Sequence, residues 1–517
     1  MFEKDDHTIA DLIHDETFDM ESEEIRKIGY QMVDLLVEYF QDMRTAAILP
    51  NKTLKEMSKL IYEPLPQNEQ TADQVLDECK KKIMPEMIRI GHPRLLGWIL
   101  SSGTPIGAFA DGVASALNQN VSVSGAGMAT AVELLVIDWI KEILGYDPCA
   151  AGLLVSGGSL ANLTALTVAR NVKANFNVRN SGMKQDRSDK NMILYVSEEV
   201  HVCVPKAANI LGIGTDNIRY VNVDQNFCLD IKDLRKKIVE DQKNGLHPFC
   251  VVASAGTVNT GAVDPLESIA DICKQYNLWF HVDAAYGGFA ALSSRLKPLL
   301  CGIERADSIA LDPHKWLFIP YEAGCVLVKN SSYMKQTFAV NAEYIHANTS
   351  LVSNEDVDFS DYGIQLSRNF RALKIWMSLK QYGVLKYGRL IDQNVNLVQY
   401  FSALIDESLD FEIVTKPGLS IVCFRYFPMN LQKMYEESSS VQKERISEYL
   451  NVLNRDVVNS MRIDGRTLLS STILGKKFVL RACVVNYRTT KKDIEMILEI
   501  LRELGNIADK KFRKMFL

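Results

Sequence analysis

The sequence predicts an α/β protein built on a mostly parallel sheet with helices on both faces. Short apolar segments typical of strands recur through the middle of the chain, and several are separated by stretches with helical spacing, such as residues 266–276. Strands that alternate with helices favour parallel pairing, because each helix carries the chain back across the sheet. The predicted strands lie in AGLLVSGG, NMILYVS, IRYVNV, FCVVASAG, LWFHVDAA, DSIALD and AGCVLV.

The length of the chain and its changes of pattern divide it into three predicted segments. A chain of 517 residues is too long for a single hydrophobic core of ordinary size. Residues 1–103 contain an amphipathic helix at 21–43, and we expect this helical segment to pack on a partner subunit. Residues 104–380 hold the predicted strands, and residues 381–517 have the pattern of a smaller α+β domain.

Composition and charge exclude several classes of protein. A net charge of −6 argues against a nucleic-acid partner, which requires a basic face. The ten cysteines occur singly, without the CxxC spacing of zinc knuckles and redox dithiols. The acidic N-terminus lacks the apolar core of a signal peptide, and no segment is apolar enough for a membrane span. We therefore expect a cytoplasmic protein that acts on a small molecule and contacts neither nucleic acid nor membrane.

In a parallel sheet, ligands bind beyond the carboxyl ends of the strands, so the residues that follow each predicted strand are candidates for a site. The tetrapeptide SGGS, residues 156–159, follows a strand and opens a helix. Its glycines allow close approach, and the free N–H groups of the helix can bind an anion. Taken alone, the tetrapeptide is more simply a tight turn, and it matches neither a Walker A loop nor a dinucleotide fingerprint.

Asp283 ends the apolar segment LWFHVD. A buried carboxylate requires a positive partner or several hydrogen-bond donors, and a protonated ring nitrogen of a cofactor is one such partner. A structural cap for the next segment is the alternative. Ala284 and Ala285 are small enough to let a flat ring lie close by. His281 and Asp283 form an HxD pair, but no third ligand is evident, so we expect no metal site.

Two further polar residues follow predicted strands. His201 follows NMILYVS, where an imidazole could stack on a flat ligand, and Thr257 follows FCVVASAG as a hydroxyl donor. Each has a simpler explanation, because a solitary histidine is usually structural and a threonine in such a position is typical of a turn.

Lys315 lies in SIALDPHKWLF, a mostly apolar segment. Burial at a strand end is expected to lower the pKa of its amine, and a neutral amine is a nucleophile that condenses with an aldehyde. Pyridoxal 5'-phosphate supplies an aldehyde, a phosphate and a ring nitrogen, and it requires a lysine, an anion site and an acid. Lys315, the 156–159 turn and Asp283 meet these requirements together, so we expect pyridoxal 5'-phosphate as the cofactor.

The chain also resembles a known family over nearly its whole length, from GYQMVDLLVEYF to LRACVVNYRTT. The most specific matching motifs are HPRLLGW, LVSGGSLANLTAL, HVDAAYGG and DPHKWLF. By these motifs the chain is similar to the group II pyridoxal-phosphate decarboxylases, the family of aromatic-L-amino-acid decarboxylase, and most similar to bacterial tryptophan and aromatic amino acid decarboxylases. The resemblance implies the aspartate-aminotransferase-like fold (fold type I) with a seven-stranded sheet, and a homodimer with active sites at the subunit interface.

The resemblance assigns a role to each candidate residue. It implies that Lys315 carries the cofactor and that Asp283 pairs with the ring nitrogen. It places His201 and Ala285 on opposite faces of the ring. The remaining cofactor-binding residues that it implies are Thr257, Gly157, Gly158, Ser159 and His314. It also matches Tyr344 to the tyrosine of a mobile catalytic loop, and it matches positions of the substrate pocket to Trp98, Ile99, Ser101 and Ser367.

Two positions depart from the family pattern near the expected phosphate site. Leu160 replaces an acid in the common SEAN motif, and Asp312 stands where some animal members have asparagine. An acid beside a phosphate repels it unless the charge is screened or turned away.

The expected function is decarboxylation of an aromatic L-amino acid (tryptophan, tyrosine, dopa or phenylalanine) to the arylalkylamine and CO₂. Tyr344 favours this outcome, because related aldehyde synthases carry phenylalanine at that position. The alternatives are a decarboxylase of a non-aromatic amino acid, a decarboxylation-dependent aldehyde synthase, an aminotransferase or carbon–carbon lyase, and a cofactor-binding protein without activity. The complete set of Lys315, Asp283, His201 and Tyr344 disfavours the last of these.

Overall fold

The computed structural model describes residues 17–50, 52–122, 127–183, 191–340 and 357–516. The chain forms two compact units, Met1–Arg89 and Ile90–Leu517. The second unit carries the β-sheets described below and every candidate site residue that the structure describes.

The first unit is helical. Helix α1 spans Ser22–Gln41, α2 spans Leu54–Ile61 and α3 spans Ala72–Glu78. Capping boxes begin α2 and α3, because the hydroxyls of Thr53 and Thr71 accept hydrogen bonds from backbone N–H groups three residues further on. The helix predicted at 21–43 is therefore present as α1, and none of its residues is buried.

The helices of the second unit end at residues suited to helix termini. Gly145 and Gly465 follow their helices in the left-handed conformation, and Asn118 and Asn277 do the same. Within the described residues the helices are α4 (Pro105–Leu117), α5 (Met128–Leu144), α6 (Gly158–Lys173), α7 (Val178–Ser181), α8 (Cys203–Ile210), α9 (Ile231–Lys243), α10 (Leu266–Tyr276), α11 (Ser332–Phe338), α12 (Ala372–Tyr382), α13 (Val384–Asp406), α14 (Met429–Glu437), α15 (Ser440–Asp464) and α16 (Lys491–Phe516).

In the part of the chain that the structure describes, the strands form two sheets. Their bounds are β1 (Leu95–Leu96), β2 (Ala151–Val155), β3 (Met192–Ser197), β4 (Ile218–Val221), β5 (His247–Ser254), β6 (Trp279–Asp283), β7 (Ser308–Leu311), β8 (Gly324–Val328), β9 (Phe411–Ile413), β10 (Ile421–Tyr426), β11 (Leu468–Leu474) and β12 (Lys477–Cys483). The larger sheet has seven strands in the order β2-β8-β7-β6-β5-β3-β4. Only β8 runs antiparallel to its neighbours in this sheet, so the predicted strands and their mostly parallel pairing are confirmed.

The order of the seven strands brings their carboxyl ends to one edge of the sheet. Ser254 at the end of β5 pairs with Asp283 at the end of β6, and Asp283 pairs with Ala310 near the end of β7. Because β2 and β7 are each antiparallel to β8, β2 also points toward this edge. The segments that follow β2, β3, β5, β6 and β7 therefore start from the same side of the sheet, where ligands bind in such folds.

A smaller sheet of five strands has the order β1-β11-β12-β10-β9. Its first strand, β1, pairs in parallel with β11 through Leu95–Leu468 and Leu96–Leu469. Residues just before position 103 thus belong to the sheet of the C-terminal region. The division at 103 and 380 itself stays a prediction.

Two hydrophobic cores lie behind these sheets, and helix α13 contributes to both. Its N-terminal half places Tyr387 and Ile391 in the core of the larger sheet. Its C-terminal half places Val398 and Phe401 in the core of the smaller sheet. One continuous helix therefore joins the two cores, which explains why the sequence has no linker of turn-forming residues between them.

Candidate active site

A cavity of about 350 Å³ opens at the carboxyl edge of the larger sheet. Its walls include all the residues that the sequence and the resemblance put forward for cofactor binding: Gly157, Gly158, Ser159, His201, Thr257, Asp283, Ala285, His314 and Lys315. These residues follow five different strands, so the strand order is what brings them together.

The 156–159 turn connects β2 to α6, which begins at Gly158. The N–H groups of Leu160 and Ala161 already donate to the carbonyl of Gly157, at 3.0 Å each. The N–H groups that precede them stand at the helix N-terminus, where an anion is favoured. A Cβ on Gly158 would lie 2.8 Å from Asp312 Oδ2 and 3.1 Å from the Ala285 Cβ, so a larger residue does not fit there.

Asp283 is buried at the end of β6. Its Oδ1 accepts a hydrogen bond from the N–H of Ala285 at 3.1 Å. Burial raises the pKa of the Asp283 carboxyl, and the positive charge of Lys315 acts in the opposite direction. A buried carboxyl of this kind, facing a cavity, suits a cationic ring nitrogen.

His201 follows β3 and is half-buried on the wall of the cavity. The N–H of Cys203 donates to His201 Nδ1 at 3.3 Å, which fixes the orientation of the imidazole. Burial lowers the pKa of His201, so the ring is neutral near neutral pH. A neutral, oriented imidazole is suited to lie against a flat aromatic ligand.

Lys315 differs from the expectation drawn from the sequence. Its Nζ lies 2.8 Å from Asp312 Oδ2, and the Asp312 side chain is almost fully buried. Burial alone would lower the pKa of Lys315, but the Asp312 carboxylate, together with Asp283, outweighs it and the pKa is raised. The predicted lowered pKa is therefore wrong for the side chains as they stand, because no local pattern in the sequence indicates that Asp312 turns toward the amine.

His314, Ser101 and Thr257 support the site through their own hydrogen bonds. His314 Nδ1 accepts from the N–H of Ala323 at 3.2 Å, and the hydroxyl of Ser101 donates to the carbonyl of His314 at 2.8 Å. Thr257 Oγ1 accepts from the N–H of Ala262 at 3.1 Å, so its hydroxyl also holds a turn together. The turn explanation for Thr257 and its place on the cavity wall are thus compatible.

A second cavity, of about 360 Å³, adjoins the first and shares His201, Val258 and Lys315 with it. Trp98 and Ile99 line it, as the resemblance implied for a substrate pocket. Arg481 supports this wall by donating to the carbonyl of Trp98 at 3.2 Å and to the carbonyl of Asn259 at 3.0 Å.

Two of the described candidate residues, Ser101 and Ser367, line neither cavity, and Ser101 is buried with its hydroxyl on the His314 carbonyl. Ser367 is exposed. Tyr344 lies outside the described residues, so its role stays a prediction.

Several residues of the site were missed from the sequence. Asn162 lines the first cavity, and its Nδ2 donates to the carbonyl of Gly158 at 2.8 Å. His281 Nε2 donates to Asn162 Oδ1 at 2.7 Å, and burial lowers the pKa of His281 to about 4. Asn162 follows Gly158 by one helical turn, and this spacing was a signal for the hydrogen bond between them. Arg481 gave no comparable signal, because it lies on β12, far along the chain.

Within the described ranges, no group of three or more His, Cys, Asp and Glu side chains is placed to hold a metal ion. None of the helices described in the chain combines the length and the apolarity that crossing a membrane requires.

The fold and the site together define an enzyme of the pyridoxal-phosphate class. A model of the pyridoxal-dependent decarboxylase conserved domain matches residues 55–427. The chain belongs to this family and is a pyridoxal-phosphate-dependent carboxy-lyase, as its motifs predicted.

Relatives of known function cover almost the whole chain. An aromatic-L-amino-acid decarboxylase from Bacillus atrophaeus is 36% identical over 492 residues, which are 95% of this chain and 97% of that protein. A phenylacetaldehyde synthase from Arabidopsis thaliana is 28% identical over 493 residues, which are 94% and 96% of the two chains. The crystal structure of Oryza sativa TDC with PLP and tryptamine has a TM-score of 0.86 at 25% identity, and the match covers 97% of this chain and 100% of that one. The aspartate-aminotransferase-like fold is thereby confirmed.

The residues present fit pyridoxal 5'-phosphate, the cofactor of this family. The glycine turn leaves room for an anion that a side chain would fill, a buried carboxyl faces the cavity, and a lysine points into it. These are the three groups that the cofactor requires of a protein.

Proposed function

We propose that the protein decarboxylates an aromatic L-amino acid, such as tryptophan, tyrosine, dopa or phenylalanine, to the arylalkylamine and CO₂. The observation that carries this proposal is the junction of the two cavities at Lys315 and His201. The first cavity has the polar groups that a cofactor needs, and the second adds Trp98 and Ile99 as apolar surface for a side chain. The names of the relatives support aromatic substrates.

In this proposal the residues of the first cavity hold the cofactor. Lys315 would bind its aldehyde carbon, Asp283 its ring nitrogen and the 156–159 turn its phosphate. His201 and Ala285 would enclose the ring, with Thr257 and His314 beside them. When bound, pyridoxal 5'-phosphate supplies an aldehyde that links covalently to amines and a ring that accepts the electron pair left by departing CO₂.

The protein's own groups would then control the environment of the reaction. Asp283 would favour a positive charge on the ring nitrogen, because a buried carboxylate is stabilised by a cation beside it. Trp98 and Ile99 would offer an apolar surface that positions the substrate side chain. Tyr344 is the proposed donor of the proton that replaces the carboxyl group at the α-carbon.

A second candidate function is decarboxylation-dependent aldehyde synthesis, because a phenylacetaldehyde synthase is among the relatives. The two outcomes differ in whether the α-carbon receives a proton or reacts with oxygen. Tyr344 supports the amine. We expect Tyr344→Phe to raise aldehyde and hydrogen peroxide at the expense of amine, measured by chromatography and a peroxidase-coupled assay. An unchanged ratio of amine to aldehyde would remove Tyr344 from this role.

We also propose that the enzyme is a cytoplasmic homodimer. Ile25, Tyr30 and Val33 on α1 leave apolar surface exposed on one chain, as expected of a helix that packs on a second copy. All ten cysteines are free, which suits a reducing compartment. Sedimentation at several concentrations tests the dimer, and a monomer throughout would contradict it.

The experiment that tests the function is incubation of the purified protein and pyridoxal 5'-phosphate with each of the twenty amino acids. We expect release of CO₂ and the matching amine from aromatic substrates. Turnover of tryptophan relative to tyrosine would define the preference, to which Ser367 is a candidate contributor. Release of CO₂ only from a non-aromatic amino acid, or keto acid without amine, would overturn the proposal.

A further inference from the structure

The Asp312 carboxylate lies between the two groups that the cofactor must engage. Its Oδ2 is 2.8 Å from Lys315 Nζ and 3.7 Å from His314 Nε2. The same carboxylate faces the 156–159 turn, since a Cβ on Gly158 would lie 2.8 Å from Oδ2 and a Cβ on Gly157 would lie 3.7 Å from Oδ1. Asp312 therefore touches both the amine and the anion site.

The second oxygen of Asp312 is unusual for a buried carboxylate. Asp312 is 2% exposed, and its Oδ1 has no hydrogen-bond partner among the residues that the structure describes. Within 4 Å, a Cβ on Gly157 would meet only the His314 ring and this carboxylate in the described part of the chain. An anion at the turn would thus face Asp312 before it faced Lys315, and the negative charges would repel.

A proton already held by the pair can remove that repulsion. If Lys315 Nζ–H gives its proton to Asp312 Oδ2, an N–H bond breaks and an O–H bond forms. The ammonium and carboxylate become an amine and a carboxylic acid, with no other reactant. The acid no longer repels an anion and can donate a hydrogen bond to it, and the amine becomes nucleophilic.

We propose that an anion bound at the 156–159 turn drives this proton from Lys315 to Asp312, so that the amine is released for condensation only when a phosphorylated aldehyde is seated. This rests on the proposed cofactor site and deepens it, because it explains how the protein would discriminate the phosphorylated cofactor from other aldehydes. Without an anion, Asp312 holds Lys315 as an unreactive ammonium.

Other titratable groups around Asp312 are less suited to this role. His314 and His201 have pKa values lowered by burial, so they stay neutral and add no charge near neutral pH. Asp283 lies on the adjoining strand and touches the Ala285 N–H rather than the turn. The groups that feel the Asp312 charge are Lys315, His314, His201, Asp283, Tyr321, Cys203 and Cys325.

The test separates the aldehyde from the phosphate. Full-length protein stripped of cofactor is mixed with pyridoxal, which has the aldehyde but no phosphate, with or without sodium sulfate. Sulfate carries a constant double charge near neutral pH, and sodium chloride of equal ionic strength is the control. Borohydride then traps the adduct, and mass spectrometry measures it on the peptide that contains Lys315.

We expect sulfate to accelerate formation of the Lys315 adduct about tenfold near pH 7, the effect of lowering the effective pKa of the amine by one unit. In Asp312→Asn the adduct should form rapidly without sulfate, and sulfate should no longer accelerate it. Asp307→Asn, at the far end of β7 where the carboxylate accepts from the N–H of Phe280, is the matched control and should keep the sulfate effect.

Two results would overturn the proposal: no acceleration by sulfate over chloride in the wild-type protein, or equal acceleration in Asp312→Asn. The wild-type comparison decides the matter by itself if Asp312→Asn does not fold. The readout is the adduct on Lys315, which forms without turnover. The result can therefore be interpreted even if the protein decarboxylates none of the amino acids. Absence of any adduct on the Lys315 peptide, even with pyridoxal 5'-phosphate, would instead refute the cofactor site.

Discussion

The two cavities that meet at Lys315 are assembled in different ways. The walls of the first come from segments that directly follow β2, β3, β5, β6 and β7, so the order of strands in one sheet places them. The walls of the second come from Trp98 and Ile99, from Val258 and Asn259, and from Ser470 and Arg481. These segments meet only because the smaller sheet packs close to the larger one. The position of the first cavity can therefore be predicted from the pattern of strands. The position of the second cavity depends on how the two hydrophobic cores pack together.

The two cavities also differ in their electrostatics. The first concentrates buried groups whose pKa values are shifted, among them Asp283, His201 and Lys315. The second is held together by a guanidinium that donates to backbone carbonyls, with Arg481 joined to Trp98 and Asn259. The difference suggests that changes in the first cavity abolish chemistry, whereas changes in the second alter which substrate is used.

The largest expected effect tests whether Lys315 is the reactive centre. Lys315→Ala should reduce amine formation on the order of 10³-fold or more, because among the described residues no other lysine lines the first cavity. Borohydride reduction should no longer attach the cofactor covalently. Lys329→Ala is the control, since that lysine follows β8 and donates to the carbonyl of Glu304. Amine formation within tenfold of the wild-type rate would contradict the assignment.

A buried ion pair that the sequence did not reveal supports the first cavity. Arg368 pairs with Glu133, and the two hold Leu154 by its carbonyl and its N–H, just before the 156–159 turn. Arg368→Met leaves the Glu133 charge uncompensated and should lower the free energy of unfolding by about 3–5 kcal/mol. Denaturant unfolding measures the change.

The control for this prediction is an exposed ion pair. Arg305 pairs with Asp271, whose side chain is largely solvent-exposed. Arg305→Met should change the unfolding free energy by only about 0–1 kcal/mol. Equal unfolding free energies for Arg368→Met and Arg305→Met would show that the Arg368–Glu133 pair stabilises β2 no more than an exposed pair would.

The network beneath the glycine turn predicts a dependence of stability on pH. His281 is fully buried with a pKa of about 4, below its value of about 6.5 in the unfolded chain. The contribution of His281 to the free energy of unfolding is fully present above the unfolded-state pKa. It is lost as the pH falls through the folded-state pKa. Between those two values the unfolding free energy should fall by up to about 1.4 kcal/mol per pH unit, about 3 kcal/mol in all.

The His281→Gln variant separates the titration of His281 from the protonation of other side chains at low pH. His281→Gln removes the titration, so the difference between wild-type and variant unfolding free energies should shrink as the pH falls from about 7 to about 4. Parallel curves over that range would show that His281 does not set the slope.

The smallest expected effect sharpens the distinction between the cavities. Trp98→Ala should raise KM for aromatic substrates about tenfold, because it removes apolar surface from the second cavity. Affinity for pyridoxal 5'-phosphate should stay unchanged, since Trp98 does not line the first cavity. Tyr220→Ala, an exposed aromatic on β4, is the control. A loss of cofactor affinity in Trp98→Ala would mean that the two cavities are not separate in function.

Much of the fold and the cofactor site was predictable because the signals were local. Each predicted strand is a short apolar run, and each cofactor-binding candidate lies within a few positions of a strand end, as Asp283 does for β6. The direction of the Asp312 side chain was not predictable, since a strand end allows it to face either the solvent or the amine. The Arg368–Glu133 pair joins residues 235 positions apart, and no local pattern indicates which charged residues are buried together.

The amino-acid sequence alone determined the class of fold and the cofactor, and it put forward the residues that we propose hold the cofactor, because strand periodicity and motif chemistry act over a few neighbouring positions. Only the tertiary structure decided that Lys315 is paired with Asp312, that Arg481 supports Trp98 and that α13 joins two cores. These depend on distances between segments remote in sequence, and packing of the whole chain sets such distances.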